Sequence, residues 1–198
     1  MPLRDKRHFV FDMDGTLTIA THDFDAMRDA LGLPPDSSIL EGIAARPAAE
    51  QPRLHRRLHE LELDYARRAQ PQPGAAGLLQ RLRRRDASLA ILTRNDKALA
   101  GLTLEVCGLR EFFPDELILG REEHAPKPAP DGILHLMQHW QAAPASTVMV
   151  GDYVYDLKAG RAAGVTTVHF DEQGLARWPE LSDITVQELS ELAELLGD

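Results

Sequence analysis

Asp12 and Asp14 stand two positions apart at the end of a short apolar run, Phe9-Val10-Phe11. Side chains alternate along a strand, so this spacing brings both carboxylates toward one site where the strand ends. Gly15 follows them and permits a tight turn with positive φ and close approach of a ligand. An acidic turn that merely closes a strand accounts for either aspartate. It accounts less well for the full run DMDGTL behind three apolar residues. Asp12 is a candidate nucleophile, because a carboxylate can attack phosphorus and hold the phosphoryl group, dividing one hard step into two. Asp14 is a candidate general acid and base, protonating a leaving alcohol and then taking a proton from the attacking water.

Three later segments supply complementary groups. Thr93 ends the apolar run Leu89-Ala90-Ile91-Leu92 and can donate its hydroxyl to a phosphoryl oxygen. Lys127, in the run Lys127-Pro128-Ala129-Pro130, offers fixed positive charge. Asp152 and Asp156 follow Val148-Met149-Val150-Gly151; their bland reading is N-capping of the next helix. Gathered together, Asp12, Asp14, Asp152 and Asp156 bring up to four negative charges, and a phosphate ester adds about two more. Two like charges at about 4 Å repel by roughly 4 kcal/mol at an effective dielectric near 20. Lys127 alone cannot balance that. A divalent cation can, and all-oxygen ligation selects Mg²⁺ over zinc.

These four segments, in this order, resemble the four motifs of the haloacid dehalogenase superfamily: DxDGT, a strand ending in Thr, a lysine in a KPxP context, and GDxxxD. The resemblance spans residues from about 7 to 170, and three of the motifs fall at strand ends. It implies that Mg²⁺ takes the Asp12 carboxylate, the Asp14 backbone carbonyl and the Asp152 carboxylate. Asp156 then supports that shell beside Gly151, pairing with Lys127. Gly15, Thr16, Arg94 and Asn95 are implied substrate contacts. By the same resemblance, true dehalogenases lack the second aspartate, and phosphonate-cleaving relatives use a cap lysine. This chain has Asp14, and residues 18–73 contain no lysine. Phosphoryl transfer is therefore favoured, and the phosphoglycolate phosphatase and β-phosphoglucomutase branch looks closest.

The elements that must position these residues read as α/β. Strands are expected at Phe9-Val10-Phe11, 89–92, 148–150 and 165–170, with a weaker one at 117–119. Helical stripes lie between and after them. These are Ala98, Leu99, Leu102 and Val106; Ile133, Leu134, Met137 and Trp140; a helix starting at Leu157 and ending at Gly164; and Leu189, Leu192, Leu195 and Leu196. Strands alternating with helices imply a Rossmann-like parallel sheet with right-handed crossovers. One region breaks the alternation. Residues 18–73 show only helical or loop patterns, with Leu54, Leu58, Leu61 and Tyr65 on one face and proline breaks at 34–35, 47 and 71–73. A core of 1–17 and 74–198 with a small helical cap of 18–73 is expected, placed over the C-terminal edge of the sheet.

The totals exclude other classes. A formal charge of -9 repels phosphate backbones and anionic lipid, so neither nucleic acid nor membrane is expected as a partner. The basic run Arg81 with Arg83 to Arg85 falls at a helix end, where cations suit the dipole. One cysteine, Cys107, permits no internal disulfide. The N-terminal run has no signal-peptide shape, so a cytoplasmic location is expected. Oligomeric state stays unknown at this level. Weaker residues take bland readings: His55 and His59 as a solvated face, Arg28 and Arg46 as surface arginines, Trp140 as core, and His22 with Asp23 as a substrate-facing loop or helix start. The expected activity is Mg²⁺-dependent hydrolysis of a small phosphorylated metabolite. The alternatives are a phosphomutase and a non-catalytic phosphate-binding protein.

Overall fold

The computed structural model describes residues 3–197; Met1 and Pro2 of the basic N-terminal run, and Asp198, lie outside them. In chain order the elements are β1 (His8–Phe11), α1 (Phe24–Leu31), α2 (Ile39–Ala44), α3 (Gln51–Ala66), α4 (Ala75–Arg84), β2 (Ser88–Leu92), α5 (Lys97–Val106), β3 (Ile118–Leu119), α6 (Asp131–Trp140), β4 (Thr147–Gly151), α7 (Val154–Ala163), β5 (Thr166–Phe170), β6 (Ile184–Val186) and α8 (Leu189–Leu195). The strands form one sheet of order β3-β2-β1-β4-β5-β6, and every pair is parallel. The five expected strands are present. Ile184–Val186 is an additional edge strand.

Period-two alternation splits the core across the sheet. Phe9, Phe11, Leu89, Ile91, Val148 and Val150 pack on one face, with α4, α5 and α8. Val10, Ala90, Leu92 and Met149 pack on the other, with α6 and α7. Phe9 and Phe11 are fully buried, and each large apolar side chain so placed contributes about 1.5–3 kcal/mol. The chain runs from β1 outward to β2 and β3, then returns to β4 on β1's other side. The strand order therefore reverses between β1 and β4, and a crevice opens beyond their C-terminal ends.

The stripe expected on α5 is rotated. That helix buries Leu99, Ala100, Thr103 and Leu104, whereas Val106 is 45% exposed and Ala98 is also at the surface. Small Ala100 and Thr103 fit against neighbouring elements where the larger Val106 does not. On α6, Leu134 is 47% exposed, and the buried set is Ile133, Leu136 and Met137. The helix expected from Leu157 begins earlier, at Val154.

Helices α1 to α3 bury a cluster of their own: Met27, Leu31, Leu33, Ile43, Leu54 and Leu58. Two adjacent chain segments tie them to the sheet. Thr18 bridges Pro71, the Ile19 N–H donates to the Gln70 carbonyl at 2.9 Å, and the Gln72 N–H donates to the Leu17 carbonyl at 2.8 Å. No described helix is long and apolar enough to cross a membrane.

Candidate active site

The sheet delivers the acids. The Asp12 N–H still donates to the Val150 carbonyl at 2.9 Å, so β1 keeps its ladder one residue beyond Phe11. One more step of alternation carries Asp12 to the Val10 face, where α6 and α7 begin. Beyond it the chain turns sharply. The Met13 carbonyl accepts N–H groups from Leu17 and Thr18, both at 3.0 Å. Gly15 takes φ +90°, and a Cβ built on it would stand 2.5 Å from Asp152 Oδ2. Only glycine serves both needs, the left-handed backbone and the close approach of β4's acid.

Lys127 lies between two carboxylates. Its Nζ donates at 2.6 Å to Asp12 Oδ1 and at 2.6 Å to Asp156 Oδ1. All three side chains are at least 88% buried. Asp156 Oδ2 accepts the Tyr153 N–H at 3.0 Å, so Asp156 caps α7 and orients the lysine at once. Thr16 is fully buried and donates its hydroxyl to Asp152 Oδ1 at 3.0 Å. Carboxylate oxygens of Asp12, Asp152 and Asp156 all lie within 4.8 Å of one another.

Thr93 follows β2 and is 3% exposed; its hydroxyl oxygen accepts the Asn95 N–H at 3.0 Å. Asn95 Nδ2 donates to Asp14 Oδ2 at 3.5 Å, and His22 Nδ1 stands 4.0 Å from Asp14 Oδ1. The His22 ring packs 4.5 Å from Tyr65 and stacks on Phe24, while Asp23 caps α1 through the Ala26 N–H at 2.9 Å. Arg94, expected to meet substrate, is already engaged. It grips both oxygens of Glu41 at 2.6 and 2.7 Å, lies over the Tyr155 ring and donates to the Lys127 carbonyl. Arg46 is tied to the Gly32 carbonyl, and His55 and His59 are exposed on α3. His124 packs against His135, 4.4 Å between ring centres.

The charges press on one another. Burial, and then the Asp12 charge, raises the Asp14 carboxyl to about 7. Burial raises Asp156 to about 6, with Asp12 adding and Lys127 opposing. Asp152 is raised well above its ordinary value by burial, then by Asp12 and Asp156. Burial opposes the Lys127 charge, yet Asp12 and Asp156 carry its pKa upward. A hard divalent cation fits this donor set. The ligands are all oxygen, they converge within a few ångströms, and one lysine leaves their charge unbalanced. A cleft of about 540 Å³ opens above, walled by α1 to α3 on one side and by Asp12, Thr93 and Asp152 on the other.

A lining residue of the cleft and its partner were not anticipated. Glu62 on α3 is 8% exposed and accepts from Arg121 Nη1 at 2.7 Å. The spacing Leu54, Leu58, Glu62 places the acid on the buried stripe of α3, and that was the available signal. Arg121 follows β3 in a loop with no periodicity to reveal it.

A family model described as haloacid dehalogenase-like hydrolase matches residues 6–164. An uncharacterized hydrolase of Saccharomyces cerevisiae is 36% identical over 98% of this chain and 92% of its own length. A phosphoglycolate phosphatase of Chromobacterium violaceum is 31% identical over 99% of both chains. A solved structure, a hydrolase from Pseudomonas syringae, has a TM-score of 0.80 at 21% identity, covering 96% of this chain and 97% of that one. That last likeness is one of fold.

Proposed function

Given that the chain belongs to the haloacid dehalogenase-like hydrolases, we propose that it is a Mg²⁺-dependent phosphatase that hydrolyses small phosphate monoesters through a phospho-aspartate on Asp12. The observation that carries this reading is the buried Asp12–Lys127–Asp156 chain at the reversal point of the sheet, with Asp152 within reach of both acids. Lys127 holds Asp12 Oδ1, leaving Oδ2 for attack on phosphorus. The new Asp12 oxygen–phosphorus bond forms as the ester oxygen–phosphorus bond breaks, and Asp14 gives its proton to the departing alcohol. Water then attacks the same phosphorus, Asp14 takes its proton back, and Asp12 is freed. A carboxyl poised near neutral suits both halves. Thr93 and Asn95 line the phosphoryl end, and Thr16 fixes Asp152.

Asp12, the Asp14 carbonyl and Asp152 would hold Mg²⁺, which neutralises charge on the carboxylates and the phosphoryl oxygens when bound. Asp156 and Gly151 support that set. We read residues 18–73 as a cap on a core of 1–17 and 74–198. Cap closure excludes bulk water from the acyl phosphate. A cytoplasmic setting suits a chain whose single cysteine is buried. The test is a panel of phosphorylated metabolites assayed with Mg²⁺ and with chelator. Free phosphate released in step with turnover, and lost on chelation, is expected. Transfer of the phosphoryl group to a second position of a sugar, without free phosphate, would instead mark a phosphomutase.

Two expected results concern the cation. Without it, Asp14, Asp152 and Asp156 hold protons more tightly folded than unfolded, so they withdraw stability as pH rises from the ordinary carboxyl range to about 7. Mg²⁺ binds the ionised form, so the rise in melting temperature on adding it should be larger at a pH of roughly 8 than at roughly 5. Equal rises at both would contradict linkage through these carboxyls. Gly15→Ala puts a Cβ against Asp152 in a left-handed backbone. It should weaken Mg²⁺ binding by roughly tenfold or more, as read by titration of the thermal shift. An unchanged titration would detach Gly15 from the metal site.

A further inference from the structure

Glu62 is a buried acid for which the hydrolytic steps have no use. It lines the cleft from α3. One carboxylate oxygen is bound by Arg121; the other, Oε2, is enclosed and has no hydrogen-bond partner among the described residues. Burial raises its pKa against the pull of Arg121. An enclosed acceptor without a donor is costly unless something that enters the site supplies one.

The rest of the wall narrows what that is. Of the permanently charged cations of the cleft, Lys127 is engaged with Asp12 and Asp156 and Arg94 with Glu41; Arg28 pairs with the exposed Asp25 at 2.5 Å, and its enclosed Nε has no hydrogen-bond partner among the described residues. Four of the acids lining the same cleft, Asp12, Asp14, Asp152 and Asp156, belong to the catalytic group; the other two are Glu62 and Asp36. A leaving group carrying its own carboxylate would be repelled by those two acids. An uncharged one would not, and Phe24, Met27 and Leu58 offer its carbon skeleton apolar contact.

We propose that Glu62 is a specificity residue that accepts a hydrogen bond from a hydroxyl of the leaving group, so that the substrates are phosphate monoesters of uncharged, hydroxyl-bearing alcohols such as polyols and sugars rather than of hydroxy acids. The inference rests on the phosphatase reading, and Glu62 acts on the alcohol, not on the phosphoryl group. A charge-assisted hydrogen bond lost from an enclosed site costs tenfold or more in kcat/KM.

The test compares wild type and Glu62→Gln, both with Mg²⁺, on glycerol phosphate, phosphoglycolate and p-nitrophenyl phosphate. Wild type should prefer glycerol phosphate to phosphoglycolate by at least roughly tenfold in kcat/KM. In Glu62→Gln, kcat/KM for glycerol phosphate should fall by at least roughly tenfold more than for p-nitrophenyl phosphate, whose alcohol has no hydroxyl to offer, chiefly through KM. Loss by the same factor on both esters would make Glu62 merely structural and overturn the inference. So would a wild-type preference for phosphoglycolate, with the phosphatase reading left standing. Release of phosphate from none of the three by wild type would overturn both.

Discussion

Asp12→Asn should abolish turnover, by on the order of 10⁴-fold or more, and leave the fold intact. The amide keeps the shape of the side chain and an oxygen that still accepts from Lys127 Nζ, now 2.6 Å from Asp12 Oδ1. What it loses is the anionic oxygen that bonds to phosphorus. The substitution also removes one of several crowded negative charges, so Asp14 and Asp152, both pushed upward by Asp12, should ionise more readily. The melting temperature should hold or rise. Phosphate release and a thermal melt on the same sample check both halves. Turnover close to wild type would remove Asp12 from the role of nucleophile.

Lys127→Met should destabilise the protein as well as inactivate it. The lysine is 3% exposed and bridges two buried carboxylates, each at 2.6 Å. Removing one member of such a pair leaves uncompensated charge and costs about 3–5 kcal/mol. For a chain of this size that lowers the melting temperature by about 2–4 °C per kcal/mol. Adding Asp156→Asn should recover part of the loss, because one stranded carboxylate disappears with it. Lowering the pH should shrink the deficit too, since the carboxyls then take up protons. A melting temperature within about 1 °C of wild type would mean that the buried pairing contributes little.

Asp12 and Asp152 could be read from the sequence because each directly follows an apolar strand. Phe9-Val10-Phe11 before Asp12 and Val148-Met149-Val150 before Asp152 mark strands buried on both faces, and those strands lie side by side in the sheet. Lys127 was legible as a lysine in a proline-rich loop, although only the fold shows it between Asp12 and Asp156. Other features left weaker traces. The strand at Ile184–Val186 is short, lies at the sheet edge and exposes Thr185. Helices α1 and α2 are brief, and Phe24 is 53% exposed, so no clean stripe announces them. Arg94 was expected to contact substrate, and its pairing with Glu41 left no trace in the sequence because Glu41 sits more than fifty positions away on α2. Trp178 lies outside any helix or strand; the fold sets it edge-on to Tyr153 and close to His169, a contact no local pattern encodes.

The phosphoryl–enzyme bond itself is the most direct thing to observe. Wild-type protein mixed with a turned-over phosphate ester and Mg²⁺ is quenched in acid, reduced with borohydride and mapped by peptide mass spectrometry. An acyl phosphate reduces to the alcohol, so homoserine in place of aspartate at position 12 is expected, and its absence from Asp12→Asn. Reduction at a different residue, or none while phosphate is being released, would contradict nucleophilic attack by Asp12.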